Sequence, residues 1–119
     1  VGGGDSLGAD GSQVNVKNYS VQAELDGKTV KLNWPDATTD EAIAEGLTYR
    51  VYYAEDKDDI KFDTVEDVRK NGQLLAMPDA SEETLTGLHL EEGKTYFFNV
   101  TVTDANGVET VYKKATLPV

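Results

Sequence analysis

Apolar residues alternate with polar ones along several segments of this 119-residue chain, and this period of two constrains the fold more than any other feature of the sequence. The clearest segments are residues 47–54 (LTYRVYYA) and residues 96–102 (YFFNVTV). Because successive side chains of a β-strand point to opposite faces, each segment predicts a strand with one buried face. β-branched and aromatic residues, which suit the surface of a sheet, dominate both segments.

Turn signals separate the alternating segments. Asp26-Gly27 and Asn106-Gly107 are dipeptides typical of two-residue hairpin turns, and residues 108–117 are predicted to return as the last strand. Short strands separated by turns, with little helix, predict an all-β sandwich of two antiparallel sheets. The predicted core of this sandwich consists of Trp34, Tyr49, Val51, Tyr96, Phe98 and Val100.

Residues 55–72, called the insertion below, interrupt the pattern with a charged stretch and one short helix. Asp63 or Thr64 can cap the helix, and Glu66 or Asp67 can return the bond in a capping box. Acidic residues at the start and basic residues at the end suit the helix dipole. The spacing therefore predicts a helix over residues 63–72.

The helix has one apolar side and a glycine at its end. Val65 and Val68 lie three residues apart, so one helix face can dock on the sandwich. Gly72 fits the position just past the C-terminus, where left-handed backbone is common. So short a helix would not be stable in isolation, and we expect it to depend on packing.

The residues that carry most enzyme chemistry are scarce in this chain. The sequence contains no cysteine, which excludes disulfides, thiol catalysis and thiolate metal sites. Its one histidine, His89, points away from its two leucine neighbours on an alternating strand, so we expect it to face solvent. The chain has no phosphate loop. These observations predict a protein without catalytic residues, cofactor or metal.

The net charge of the chain disfavours several classes of partner. The chain carries 22 acidic and 11 basic residues, a net charge of −11. This excess disfavours nucleic acid and anionic membrane surfaces, and repulsion between copies favours a monomer. No apolar run is long enough to insert into a membrane.

One alternative stays open: the acidic residues between positions 55 and 63 bind calcium, rather than forming a solvated loop that protects a sheet edge. These acidic residues are Glu55, Asp56, Asp58, Asp59 and Asp63.

Two local patterns resemble the fibronectin type III family. The first is Trp34 at the end of KLNW, followed by Tyr49 in LTYRVYY; the second is LEEGKTY at residues 90–96. The resemblance covers residues 19–119 and implies an immunoglobulin-like sandwich. It implies that Trp34 and Tyr49 lie between the sheets. It also implies that the Tyr96 hydroxyl bonds to the backbone before its strand, in a tyrosine corner.

The insertion departs from the minimal family pattern and resembles that of bacterial surface domains of the family. This resemblance implies an exported protein at the cell surface or in the periplasm, anchored by a lipid upstream of residue 1. We expect a noncatalytic adhesion, interaction or spacer module. The alternative is a carbohydrate-binding accessory domain of a surface system that processes or takes up glycans. The partner, a protein or a glycan, is not identified by the sequence.

Two regions are predicted to carry any binding. Arg50, Tyr52 and Phe97 share the outward parity of neighbouring strands and are expected on one exposed sheet face. Tyr112 and Tyr19 are further candidates for exposed rings. The insertion is the second region, because elaborated loops often carry function.

Residues 1–13 (VGGGDSLGADGSQ) contain five glycines and almost no apolar side chains, so the sequence predicts a flexible tether before a sandwich domain at residues 14–119. We expect deletion of residues 1–13 to leave the melting temperature nearly unchanged, because the segment can bury little. Thermal unfolding of both chains checks this. Low amide order parameters before residue 14 are expected from NMR relaxation, and protected amides there would contradict the prediction.

Overall fold

The computed structural model describes residue 16, residues 19–38 and residues 46–119; the predicted tether at residues 1–13 lies outside the described residues. These ranges form eight strands and one helix. In chain order they are β1 (Gln22–Asp26), β2 (Thr29–Asn33), β3 (Thr48–Glu55), α1 (Val65–Asn71), β4 (Gln73–Ala76), β5 (Glu82–Leu85), β6 (Thr95–Thr103), β7 (Glu109–Val111) and β8 (Ala115–Pro118).

The strands form two antiparallel sheets, which confirms the predicted sandwich. The three-stranded sheet has the order β1-β2-β5, and the five-stranded sheet has the order β4-β3-β6-β7 with β8 also paired to β6. Strand β6 is therefore central, with β3 along one edge and β7 and β8 along the other. A parallel bridge from Ser20 to Lys113 ties the segment before β1 to the five-stranded sheet.

The inner faces of both sheets share one hydrophobic core. All six residues predicted for the core belong to it and are buried. The Trp34 and Tyr49 rings pack edge to face, with centroids 5.7 Å apart and planes at 62°. Aromatic pairs favour this geometry because the edge of one ring is electropositive and the face of the other electronegative.

Tyrosine hydroxyls at the edge of the core fix the loops around it. The Tyr96 hydroxyl accepts a hydrogen bond of 2.9 Å from the Glu91 N–H, which confirms the tyrosine corner. The Tyr49 hydroxyl accepts from the Ala37 N–H at 3.1 Å. Each tyrosine thus buries an apolar ring and keeps its polar end satisfied.

Tyr112 was expected to be an exposed ring, and this prediction was wrong. Its side chain is 1% exposed, packs in the main core and donates a hydrogen bond of 2.6 Å to the Pro35 carbonyl. Burial, followed by the influence of neighbouring Tyr49, raises the pKa of the Tyr112 hydroxyl. Tyr19, half-buried, stacks on this ring with a centroid distance of 6.4 Å.

Three local features differ from the sequence prediction. The first turn is Gly27-Lys28, since Asp26 ends β1 and pairs with Thr29; Gly27 has a φ of +65°, as a glycine-first hairpin turn requires. Strand β5 escaped prediction because only one of its four residues, Leu85, is buried. The last strand is divided into β7 and β8 at residues 112–114, where Lys113 bonds to the segment before β1.

Truncation of Trp34 to alanine is expected to lower the free energy of unfolding by about 3–5 kcal/mol, because it removes the largest ring of a closed core. Tyr96→Phe is expected to cost about 1 kcal/mol through the lost corner hydrogen bond alone. Guanidinium unfolding curves measure both. Wild-type stability in Trp34→Ala would contradict the core assignment, and failure of that variant to fold would agree with it.

Candidate functional site

The insertion lies against the outer face of the five-stranded sheet. Phe62 and Val68, both fully buried, pack on Tyr52 and Phe97 to form a second hydrophobic cluster. The Phe62 and Phe97 rings are stacked, with centroids 6.0 Å apart. Val68 faces the sheet from the middle of α1, as the apolar side of the helix predicts. The outer face thus has a small core of its own.

This covering corrects the predicted binding face. Tyr52 and Phe97 are each only 8% exposed, so the expectation that they present open rings was wrong. The physical reason is that the insertion supplies apolar partners for both. Arg50, on the same face, is half-buried and donates a hydrogen bond of 2.8 Å to the Thr103 hydroxyl. The three residues therefore do not form a flat exposed aromatic surface.

Polar contacts join the insertion to the sheet and hold its own segments together. The buried Asn99 side chain donates to the Phe62 carbonyl at 3.1 Å. Thr64 caps α1, and Asp67 completes the capping box, as predicted. Within the insertion, the Asn71 side-chain amide donates to the Lys61 carbonyl at 2.7 Å. The insertion is consequently a positioned structural unit.

Ion pairs add to this attachment at the surface. Arg69 on α1 pairs with Glu109 on β7, and Lys114 before β8 pairs with Asp63. The Lys114 ammonium also lies 5.1 Å from the centroid of the Phe97 ring, within cation–π range. The exposed positions of Arg69 and Asp63 mean that solvent weakens these pairs, so they orient the insertion more than they stabilise it.

Gly72 is required where α1 meets β4, for a reason other than the one predicted. Its φ of −99° is accessible to any residue, so left-handed backbone plays no part. A Cβ at this position would lie 2.6 Å from the Val68 carbonyl oxygen and 2.9 Å from the Phe62 ring. Glycine therefore allows the chain to pass close under the second cluster.

A cleft of about 370 Å³ opens where the insertion meets the tyrosine corner. Tyr53 lines it from the end of β3, and this half-buried ring stacks on Tyr96 and Phe98 at centroid distances of 6.3 and 5.8 Å. Other walls come from the insertion, from the start of β4 and from the segment before the corner. The polar residues among them include Glu55, Lys57, Asn71, Gln73 and His89.

Lys94 fixes two carboxylates at this cleft. Its ammonium lies 3.2 Å from a Glu91 oxygen and 3.5 Å from a Glu55 oxygen. The hydrogen bond that Lys94 donates to Glu91, and then the negative charge of Glu55, raise the pKa of Lys94 above its usual 10.5. The ion pairs thus orient both carboxylates beside the cleft.

The histidine and carboxylate side chains of the described residues bear on the calcium alternative. Nowhere in residues 19–38 and 46–119 do three or more histidine or carboxylate groups converge to hold a metal ion. The acidic loop instead makes a tight turn in which Asp58 and Asp59 have φ of 58° and 55°, left-handed values that aspartate tolerates better than most residues. His89 is exposed, as expected.

Membrane insertion of the domain was not expected from the sequence. In the part of the chain that the structure describes, no helix has the length and apolar character needed to span a bilayer. Helix α1 has seven residues.

Comparison with solved structures identifies the architecture. An Fn3-like protein from Clostridium thermocellum is 22% identical, with 89% of this chain and 91% of that chain covered and a TM-score of 0.56. The third fibronectin III domain of the human KIAA0343 protein is 17% identical, covers 94% and 93%, and has a TM-score of 0.54. The fold is that of a fibronectin type III domain. No protein-family model matches the sequence, and no curated protein matches it significantly.

The fibronectin type III fold also links the chain to parts of larger proteins. Pectate lyase PelI from Erwinia chrysanthemi, solved with tetragalacturonic acid, is 17% identical with a TM-score of 0.58 over 83% of this chain. This chain spans only 28% of that lyase and 26% of pectate lyase Pel3 from Pectobacterium carotovorum. At these identities the likeness concerns the fold alone.

Sequence reasoning identified the insertion but not the cleft. The sequence placed Tyr53 on a strand, Asn71 in the helix over residues 63–72 and His89 at the surface, and each placement holds. Their convergence depends on the path of the insertion back to β4. The sequence carries no local signal for this meeting, because the three residues come from separate segments.

Phe62→Ala tests whether the insertion is a separately stabilised unit. We expect the change to cost about 3–5 kcal/mol of local stability, because Phe62 is fully buried in a small cluster. Hydrogen exchange should accelerate in residues 57–72 and stay slow at Val51 and Val100. Leu74→Ala, which truncates an exposed side chain of β4, is the control and should change neither. Equal acceleration throughout the sandwich would contradict a separate unit.

Proposed function

We propose that this fibronectin type III domain is a noncatalytic interaction or spacer module, and that its interaction surface is the cleft beside the insertion. The observation that carries the proposal is the placement of the insertion. A fully buried phenylalanine, a buried asparagine and a capped helix hold it against the sheet. A rigid wall of this kind loses little entropy when it contacts a partner.

The chemistry of the cleft supports a binding role more than a catalytic one. Glu55 and Glu91 are both engaged by Lys94, and His89 is exposed. Carboxylates held by an ion pair are oriented hydrogen-bond acceptors, which suits recognition of hydrogen-bond donors.

The cellular setting is part of the proposal. We propose that the domain belongs to an exported bacterial protein, attached to the cell surface or held in the periplasm by a lipid upstream of residue 1. The resemblance of the insertion to that of bacterial surface domains supports this setting. The absence of cysteine and the net charge of −11 are compatible with it.

A carbohydrate-binding role has one observation against it and one in its favour. The flat aromatic face on which a sugar chain would stack is covered, since Tyr52 and Phe97 lie under the insertion. The cleft, however, combines a tyrosine ring with several hydrogen-bonding side chains. Any glycan site on this domain is therefore expected in the cleft rather than on the sheet.

The test is an array of extracellular-matrix proteins and glycans probed with the full chain and two variants. Lys57→Ala removes a charge from the wall of the cleft, and Lys31→Ala removes an exposed lysine from the opposite sheet as the matched control. We expect binding to at least one array member, weakened by Lys57→Ala and unchanged by Lys31→Ala. Equal loss in both variants would place the contact elsewhere.

A second measurement addresses catalysis. The same glycans are incubated with the domain, and new reducing ends or unsaturated products are assayed. We expect none above the buffer control. Turnover that survives repurification would overturn the noncatalytic assignment, whatever the array shows.

A further inference from the structure

The walls of the cleft combine one aromatic ring with planar polar groups. Tyr53 is fixed by its stacking on Tyr96 and Phe98, so its position is set before any ligand arrives. The Asn71 amide is oriented by its bond to the Lys61 carbonyl. Gln73 and His89, both exposed, complete this side of the site. An apolar ring surrounded by amide and imidazole groups suits a ligand with both apolar CH surfaces and hydroxyl groups.

The charged side chains at the cleft disfavour an anionic ligand. Three carboxylates, from Glu55, Asp58 and Glu91, stand against the two ammonium groups of Lys57 and Lys94. An ionised carboxylate accepts hydrogen bonds and donates none. It therefore binds hydroxyl groups well and repels anions. A neutral polyhydroxylated ligand therefore fits the site better than a uronate does.

The dimensions of the cleft agree with this ligand class. Its volume of about 370 Å³ lies within the range of about 300–1,000 Å³ that small-molecule sites occupy. It is formed by segments of the insertion, β3, β4 and the corner that are each held by hydrogen bonds, capping or stacking. The site is consequently preformed.

We propose that the cleft binds a neutral saccharide, with Tyr53 as the apolar wall and Glu55, Asn71, Gln73 and His89 as hydrogen-bonding partners. This inference rests on the interaction role proposed above and names its ligand. The carboxylates accept hydrogen bonds from neighbouring sugar hydroxyls, and the amides both donate and accept. Lys94 orients Glu55 through their ion pair.

The experiment is an amide-detected NMR titration of the full chain. The probes are cellotetraose, xylotetraose and mannotetraose, with tetragalacturonate as the anionic probe of matched length. At least one neutral probe is expected to shift the amides of Gly72, Gln73 and His89 while leaving those of β1 and β2 unchanged. Tetragalacturonate is expected to shift none of them.

Exposed residues provide variants that leave the fold intact. Gln73→Ala and His89→Ala are each expected to weaken binding of the neutral probe by roughly three- to tenfold, the loss that accompanies one neutral hydrogen bond. The matched control is Gln22→Ala, which truncates an exposed glutamine of β1. It should bind as the wild type does, and thermal unfolding of each variant confirms its fold.

Three results would overturn the inference. They are no shift at the cleft with any neutral probe up to about 10 mM, the upper limit of a meaningful weak site; shifts only outside the cleft; and tetragalacturonate binding at the cleft as tightly as the neutral probes. If the saccharides fail but an array protein binds in a Lys57-dependent manner, the ligand class is wrong and the interaction role stands. If both experiments fail, the domain is a spacer and this inference falls with the interaction role.

Discussion

Strand β6 pairs with β3 along one edge and with β7 and β8 along the other, and residues 96–102 of this strand are buried on both faces. Its inner face supplies the main core with Tyr96, Phe98 and Val100. Its outer face would leave Phe97 and Asn99 in water without the insertion. Exposing the Phe97 ring and the Asn99 amide to solvent would lose both packing and a defined hydrogen bond. The other sheet therefore covers the inner face of β6, and the insertion covers its outer face.

The insertion solves this problem with few residues. Phe62 stacks on Phe97, and the carbonyl of the same residue accepts the Asn99 amide. One residue therefore satisfies both the apolar and the polar requirement of the outer face. The capping box and the close approach at Gly72 then return the chain to β4, which extends the sheet beside β3. A helix of this length gains its stability from the sheet, as helix–coil cooperativity requires.

The cleft is a consequence of the same covering. The insertion leaves the sheet at Glu55 and returns at Gln73, and the tyrosine corner stands opposite both points. The stacked Tyr53 ring and the ion-paired Lys94 therefore border a concave surface. A minimal sandwich without the insertion would lack this surface. In this domain, burial of a hydrophobic sheet face and formation of the cleft have one structural cause.

The sequence by itself determined most of the strands and the six predicted core residues through alternation, and the tyrosine corner through its resemblance to the fibronectin type III family. Trp34, Tyr49 and Tyr96 occupy the positions that parity and the family resemblance assign to them. The capping box was equally readable, because Thr64 and Asp67 are three residues apart and interact locally. Such features depend on each residue's own backbone direction or on near neighbours, so a linear pattern contains them.

Only the tertiary structure decided which outward-pointing residues reach solvent. Parity placed Tyr52 and Phe97 outward correctly, but their burial depends on Phe62, which lies 35 positions before Phe97. The convergence of Tyr53, Asn71 and His89 likewise depends on the path of the insertion. A strand pattern fixes the direction of a side chain, whereas its covering depends on contacts between segments that are distant in the chain, and no local periodicity records those contacts.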